Sequence, residues 1–361
     1  MMNNPLIQLY NLGQRIWLDN ISRTILNDGS LARWITDYRI AGVTSNPSIF
    51  LKAFRDSPEY RDELNALKQN AALTSEQRYE TLAISDIQQA CDLFDPIFKS
   101  SNGNDGYVSL EVSPALAHDA SGTIAAGLRL RQAVAKDNLL IKVPATSAGL
   151  VAIEGLIAEG CSVNVTLIFS LKQVQNVAIA YTRGIQQLIA KGGNPARVRS
   201  VASVFLSRID TMIDQQLSNL GGDALSICGQ TAIAISKVAM KNNRTLFSSE
   251  HFESLAQQGA HPQKLLWAST GTKNKNYSDV LYVESVIGED TINTVPDATL
   301  AAFRDHGKPA LTLKSNTHQA LDHLDKLHQL GIDLDACGET LQKEGLLQFE
   351  ESFEQLLAIM K

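Results

Sequence analysis

Lys142 interrupts the apolar run Leu139-Leu140-Ile141-Lys142-Val143-Pro144, where a charged amine is expensive to bury. An ammonium buried without a partner tends to shed its proton, and the neutral amine is then a nucleophile suited to Schiff-base chemistry on a carbonyl. The plain alternatives are a lysine paired with a buried carboxylate, or one snorkelling from a strand end. The surrounding runs favour chemistry. Asp19 closes Ile16-Trp17-Leu18-Asp19, Thr44 and Asn46 sit two apart, and Glu111 lies within Val108-Ser109-Leu110-Glu111-Val112. Asn164 and Thr166 share one face of an apolar run, as do Ser203 and Phe205, and Ser269 ends Leu265-Leu266-Trp267-Ala268-Ser269. Taken singly, such a hydroxyl is ordinarily a satisfied structural group. Asp19 is also placed to cap a helix over 22–26, and a one-residue register slip would turn Glu111 to the surface. Polar groups near the same end of seven runs, one of them a lysine, point to a lysine-centred site.

Such side chains need a scaffold that gathers strand ends. Strands are expected at 16–19, 42–46, 107–112, 139–145, 162–169, 199–206, 264–270 and 291–296, with helices at 119–135, 149–158, 171–189, 207–217, 229–241, 277–287 and 298–306. Eight strands alternating with helices predict an α/β fold of the (β/α)8 TIM-barrel type, whose catalytic residues collect at the C-terminal ends of the strands. Two segments exceed a minimal barrel. Residues 47–106 read as a helical insertion after the second strand, including a helix at 75–94. Residues 310–361 read as a helical extension with apolar stripes at Leu321, Leu324, Leu327 and Leu330 and again over 349–360. No linker or repeat divides the chain, so residues 1–361 are expected to form one domain.

The 361 residues are 44% hydrophobic and 19% charged, enough for a large core. A net charge of -6 with scattered cations argues against a nucleic-acid surface. Cys91, Cys161, Cys228 and Cys337 lie far apart, as reduced, buried thiols would. No apolar stretch reaches membrane-span length, and the start, Met1-Met2-Asn3-Asn4-Pro5, lacks the regions of a signal peptide, so a cytoplasmic protein is expected. P-loop, dinucleotide and serine-hydrolase motifs are absent. His318, His323 and His328 are five apart, a spacing that scatters them around a helix as solvated side chains, and His118-Asp119 reads as a helix start. Converging histidines for a metal-dependent aldolase are therefore not expected, which favours the amine route.

The motifs Trp17-Leu18-Asp19-Asn20, Gly42-Val43-Thr44-Ser45-Asn46-Pro47-Ser48, Ile141-Lys142-Val143-Pro144-Ala145-Thr146 and Asn164-Val165-Thr166-Leu167-Ile168-Phe169-Ser170 resemble the transaldolase signatures, in the family's order. The segment 266–274 is similar to the longer bacterial and plant branch. The resemblance implies a class I aldolase-type barrel that moves a dihydroxyacetone unit between phosphorylated sugars without a cofactor or metal. It implies Lys142 as the Schiff-base lysine, Asp19 as the acid and base at the C4 hydroxyl, and Glu111 with Thr166 as holders of a proton-shuttling water. Asn46 and Asn164 would bind the dihydroxyacetone hydroxyls, with Thr44 and Ser203 nearby. Fructose 6-phosphate aldolase relatives typically carry glutamine at the position of Glu111 and tyrosine at that of Phe205, so the resemblance favours transfer over release. Arg208 matches the phosphate arginine. Gly271 stands where the shorter branch has a second arginine two residues after Ser269, and Lys273 is the expected substitute. A lyase releasing dihydroxyacetone and a non-catalytic sugar-phosphate binder are the competing readings, and monomer and homodimer both remain open.

Overall fold

The computed structural model describes residues 4–361; Met1–Asn3, part of the start read above, lie outside them. Eight parallel strands close into a barrel in chain order: β1 (Arg15–Leu18), β2 (Gly42–Val43), β3 (Tyr107–Glu111), β4 (Leu139–Pro144), β5 (Val163–Ile168), β6 (Ser200–Phe205), β7 (Lys264–Ala268) and β8 (Ile292–Val295). Each expected strand is present. The strands are buried on both faces, since one face packs on helices and the other fills the barrel. Branched residues such as Val163, Val165, Val201 and Val204 suit that double burial. Gly42 is required by packing, because a Cβ there would stand 2.6 Å from the Trp17 ring.

The register sets the layers of the interior. Glu111 pairs with Lys142, Lys142 with Asn164, and Pro144 with Thr166. Period-two alternation then sends Arg15, Trp17 and Asp19 of the first strand to the same inward face at successive heights. The register of β5 against β6 breaks between Val165 and Ile168, where Leu167 holds φ 58°, a left-handed conformation that costs a branched side chain energy.

Between β2 and β3 lie helices Pro47–Asp56, Arg61–Gln69 and Ser75–Ser100, the last started by a capping box of Thr74 with Gln77. After β8 come Asp297–His306, Thr317–Gln329 and Leu334–Ile359. The helix expected at 277–287 shrinks to Leu281–Glu284, because Asn274 and Ser278 bend the preceding segment with side-chain turns. His323 corrects the histidine reading: it is buried and shares a 3.0 Å hydrogen bond with Thr231. Asp119 caps its helix as expected, and all four cysteines are free, Cys91 and Cys161 buried, Cys228 and Cys337 half-buried. Among the described residues no helix is long and apolar enough to cross a membrane.

The final helix lies across the barrel mouth. Gln342 donates from one Nε2 to the carbonyls of Ala145 (2.9 Å) and Leu167 (3.0 Å), satisfying backbone just past β4 and within β5. Gly345 permits this approach, since a Cβ there would stand 2.9 Å from Leu167. Farther along, Phe353 meets Tyr79 edge-on at 5.5 Å, and Arg78 donates to the Met360 carbonyl at 2.8 Å. The insertion and the extension therefore brace each other above the strands' C-terminal ends.

Candidate active site

Lys142 is 4% exposed, and its Nζ lies 3.2 Å from Glu111 Oε2 and 3.0 Å from the Ser45 carbonyl it donates to. The amine is thus partnered, which corrects the expectation of an isolated ammonium: β3 and β4 are neighbours in register, so a lysine and a glutamate at matched heights meet. The Phe349 ring, from the final helix, has its centre 5.6 Å from Nζ and presents a face to the cation. Burial pushes the Glu111 carboxyl above the usual carboxylate range; Lys142 opposes the shift and Asp19 adds to it.

Asp19 stands at the end of β1. Burial raises its pKa as well, with Lys142 and the Thr44 hydrogen bond pulling the other way. Thr44 donates to Asp19 Oδ1 at 2.6 Å, and because its single proton is spent there, it accepts from Thr294 at 2.7 Å. Asp19 caps no helix: Ser22 accepts from Ile25 N and begins Arg23–Asn27.

Beside Lys142 a polar belt links β3, β5 and β6. Ser203 donates to Asn164 Oδ1 (2.7 Å), Asn164 Nδ2 donates to Ser109 Oγ (2.9 Å), and the Ser109 carbonyl accepts from Ser45 (2.7 Å). With its oxygen occupied, Asn164 has one N–H left to offer. Asn46 is similar, since its Oδ1 accepts from Ile49 N at 3.0 Å as the cap of Pro47–Asp56, leaving its amide N–H groups uncommitted by that bond. Thr166 is fully buried, and among the described residues its Oγ1 has no hydrogen-bond partner.

Phe205 ends β6 with its ring 5.3 Å from Phe169 and 5.6 Å from Arg208 Cζ. Arg208 is half-buried in the first turn of Leu206–Leu220, and burial lowers its pKa despite the opposing pull of Glu344. Beside it, Ser269 holds φ 53° and hydrogen bonds Ser207 through both hydroxyls (2.9 Å) and Ser269 O (3.0 Å). A strained residue just past β7 fits a position held for function. Lys273 lies farther along that loop, exposed.

The structure thus gathers buried Lys142, Glu111, Thr44, Asn164 and Ser203 into one constellation, with half-buried Asp19 at its edge. Sequence reasoning missed Ser45, Ser109, Thr294, Gln342 and Phe349. Ser109 and Thr294 follow from alternation on β3 and β8, whereas nothing local marks Gln342 or Phe349. A lysine and two carboxylates inside the C-terminal half of a (β/α)8 barrel define an enzyme of the Schiff-base aldolase class. A family model described as Transaldolase/Fructose-6-phosphate aldolase matches residues 16–360, and the chain belongs to that family. It is 50% identical to the transaldolase of Thiobacillus denitrificans over 348 residues, 96% of this chain and 97% of the relative. It is 47% identical to that of Neisseria gonorrhoeae over 347 residues (96% and 97%) and 43% identical to that of Saccharopolyspora erythraea over 361 (99% and 97%).

Proposed function

We infer that this chain is a transaldolase, which transfers a dihydroxyacetone unit from sedoheptulose 7-phosphate to glyceraldehyde 3-phosphate, giving erythrose 4-phosphate and fructose 6-phosphate. The observation that carries the residue roles is Lys142, buried in the barrel and 3.2 Å from Glu111. Lys142 attacks the ketose C2 carbonyl as the neutral amine once Glu111 has taken its proton. The carbinolamine loses water to give an iminium, with Glu111 and Thr166 handling that water and its protons. Asp19 then removes the C4 hydroxyl proton, the C3–C4 bond breaks, and its electron pair flows to the iminium nitrogen, leaving an enamine and a free aldose. The acceptor aldehyde takes the enamine carbon, and Asp19 returns a proton to the new alkoxide.

Transfer requires the enamine to outlast the departure of the first aldose. The N–H groups left on Asn164 and Asn46 suit the oxygens of the three-carbon unit as acceptors, and Thr44 and Ser203 hold Asp19 and Asn164 in place. Phe205 and Ser269 line the approach, and Arg208 binds the phosphate through its guanidinium fork, with Lys273 as second cation. The carboxylate at 111 and the phenyl at 205 favour transfer over dihydroxyacetone release. Borohydride reduction with fructose 6-phosphate, read by intact mass, tests the reading. A three-carbon adduct is expected on the unaltered chain, diminished when erythrose 4-phosphate is added as acceptor. An adduct that persists in folded Lys142→Ala overturns the assignment.

A further inference from the structure

A cavity of about 720 Å³ opens at the opposite end of the barrel from Lys142, among the N-terminal ends of the strands. That size suits a small organic ligand. Arg15, Trp17 and Asp19 share the inward face of β1, so Trp17 stands between this cavity, which it lines, and the level of Asp19. The wall carries Arg15, Arg199, Arg244 and Lys264 against Asp105 and Asp290. Arg15 is committed to Asp105 at 2.8 Å, and Arg244 approaches Glu289, which Lys314 also holds, at 3.8 Å. Among the described residues neither Arg199 nor Lys264 is ion-paired; both donate to backbone carbonyls instead, Arg199 to Ala196 (2.7 Å) and Val198 (3.1 Å), Lys264 to Asn104 (3.4 Å). In a chain of net charge -6 this concave surface has four cations and two carboxylates. The excess matches a phosphate monoester, which carries roughly −1.5 to −2 at neutral pH.

The N-terminal end of such a barrel ordinarily serves stability, through apolar packing and closed ion pairs. Here three polar atoms of the cavity's residues are buried without a partner among the described residues: the donors Arg199 Nε and Trp17 Nε1, and the acceptor Asn243 Oδ1. The Asn243 amide is oriented by its donation to the Gln263 carbonyl at 3.1 Å, so the orphaned atom is its oxygen. Turned toward a bound ligand, the two donors would meet phosphate or hydroxyl oxygens and the lone acceptor a hydroxyl proton. Leu140, Val201, Met240 and Phe247 add an apolar wall for a short carbon skeleton. We propose that this cavity is a second ligand site, specific for a small hydroxylated phosphate monoester and separate from the catalytic end.

Glycerol 3-phosphate, which carries both groups and no ketone, is the probe. Isothermal titration should show saturable binding to the unaltered chain and to Arg208→Gln, at least tenfold weaker binding to Arg199→Gln/Lys264→Gln, and none with glycerol. If the double variant fails to fold, Arg244→Glu, whose side chain is 40% exposed, must weaken binding instead. Absence of saturable binding overturns the proposal, as does its loss in Arg208→Gln, which would assign it to the catalytic end, or unchanged affinity in the folded cavity variant.

Discussion

The Lys142 ammonium lies 5.6 Å from the centre of the Phe349 ring, so the C-terminal helix forms part of the wall around the candidate catalytic lysine. Phe349 is 5% exposed and belongs to the same helix whose Gln342 ties β4 to β5. In the proposed mechanism, a ring in that place keeps water from the enamine on Lys142. Phe349→Ala should therefore raise free dihydroxyacetone per transfer event by about tenfold. Product analysis with and without acceptor measures the ratio; an unchanged ratio at reduced turnover would make Phe349 a packing residue alone.

Asp19 and Glu111 are both held above the ordinary carboxylate range by burial, and Asp19 contributes to the shift of Glu111. The acidic limb of kcat/KM should accordingly lie above pH ~4. Asp19→Asn should still form the borohydride-trappable imine while losing about 10²- to 10⁴-fold in turnover, and the limb that remains should move to lower pH as Glu111 is relieved of its neighbour's charge. Normal turnover in Asp19→Asn would contradict its role.

Arg208 is stacked near Phe205 and half-buried, whereas Lys273 is an exposed loop residue. Arg208→Gln should raise KM for phosphorylated substrates by roughly 10- to 100-fold, the loss expected for a charge-assisted pair. Lys273→Ala should raise it by no more than about fivefold, because an exposed cation is screened. Steady-state kinetics on phosphorylated and unphosphorylated ketoses separates the two effects, and equal losses on both substrates would rule out phosphate recognition.

Asp210 is buried two residues beyond Arg208, with Ala232 N donating to it at 2.7 Å and Tyr282 Oη at 2.8 Å, and burial lifts its pKa to about 7. The folded chain therefore holds a proton there that the unfolded chain gives up near pH 4, so this group costs increasing stability as pH rises from about 4 to 7. Asp210→Asn removes the titration and should stabilise the protein above pH 7, relative to its effect at pH 4, by up to roughly 4 kcal/mol. Urea denaturation at both pH values is the check; a parallel offset would deny the linkage.

Legibility from sequence followed locality. Alternation on Arg15–Leu18, on Tyr107–Glu111 and over 163–166 told which residues turn inward, because a regular strand's side chains change face every residue, a rule that ends in β5 at the register break around Leu167. Asn46 was legible as a polar strand-end residue, but its role as a helix cap depended on where β2 stops, at Val43. His323 looked solvated because helical spacing alone does not reveal that Thr231 comes to meet it. The segment 277–287 carried a helical pattern that side-chain turns at Asn274 and Ser278 cut short.

By itself the chain determined the eight strands, the polar residues at their ends and the family motifs, all of which are written in short-range pattern. Barrel closure decided the rest. Register between β3 and β4 brought Glu111 to Lys142 and made the amine a partnered one, and docking of Leu334–Ile359 over the mouth brought Gln342 and Phe349 to strands far from them in sequence. Those relationships depend on long-range packing, which has no period for a linear reading to detect.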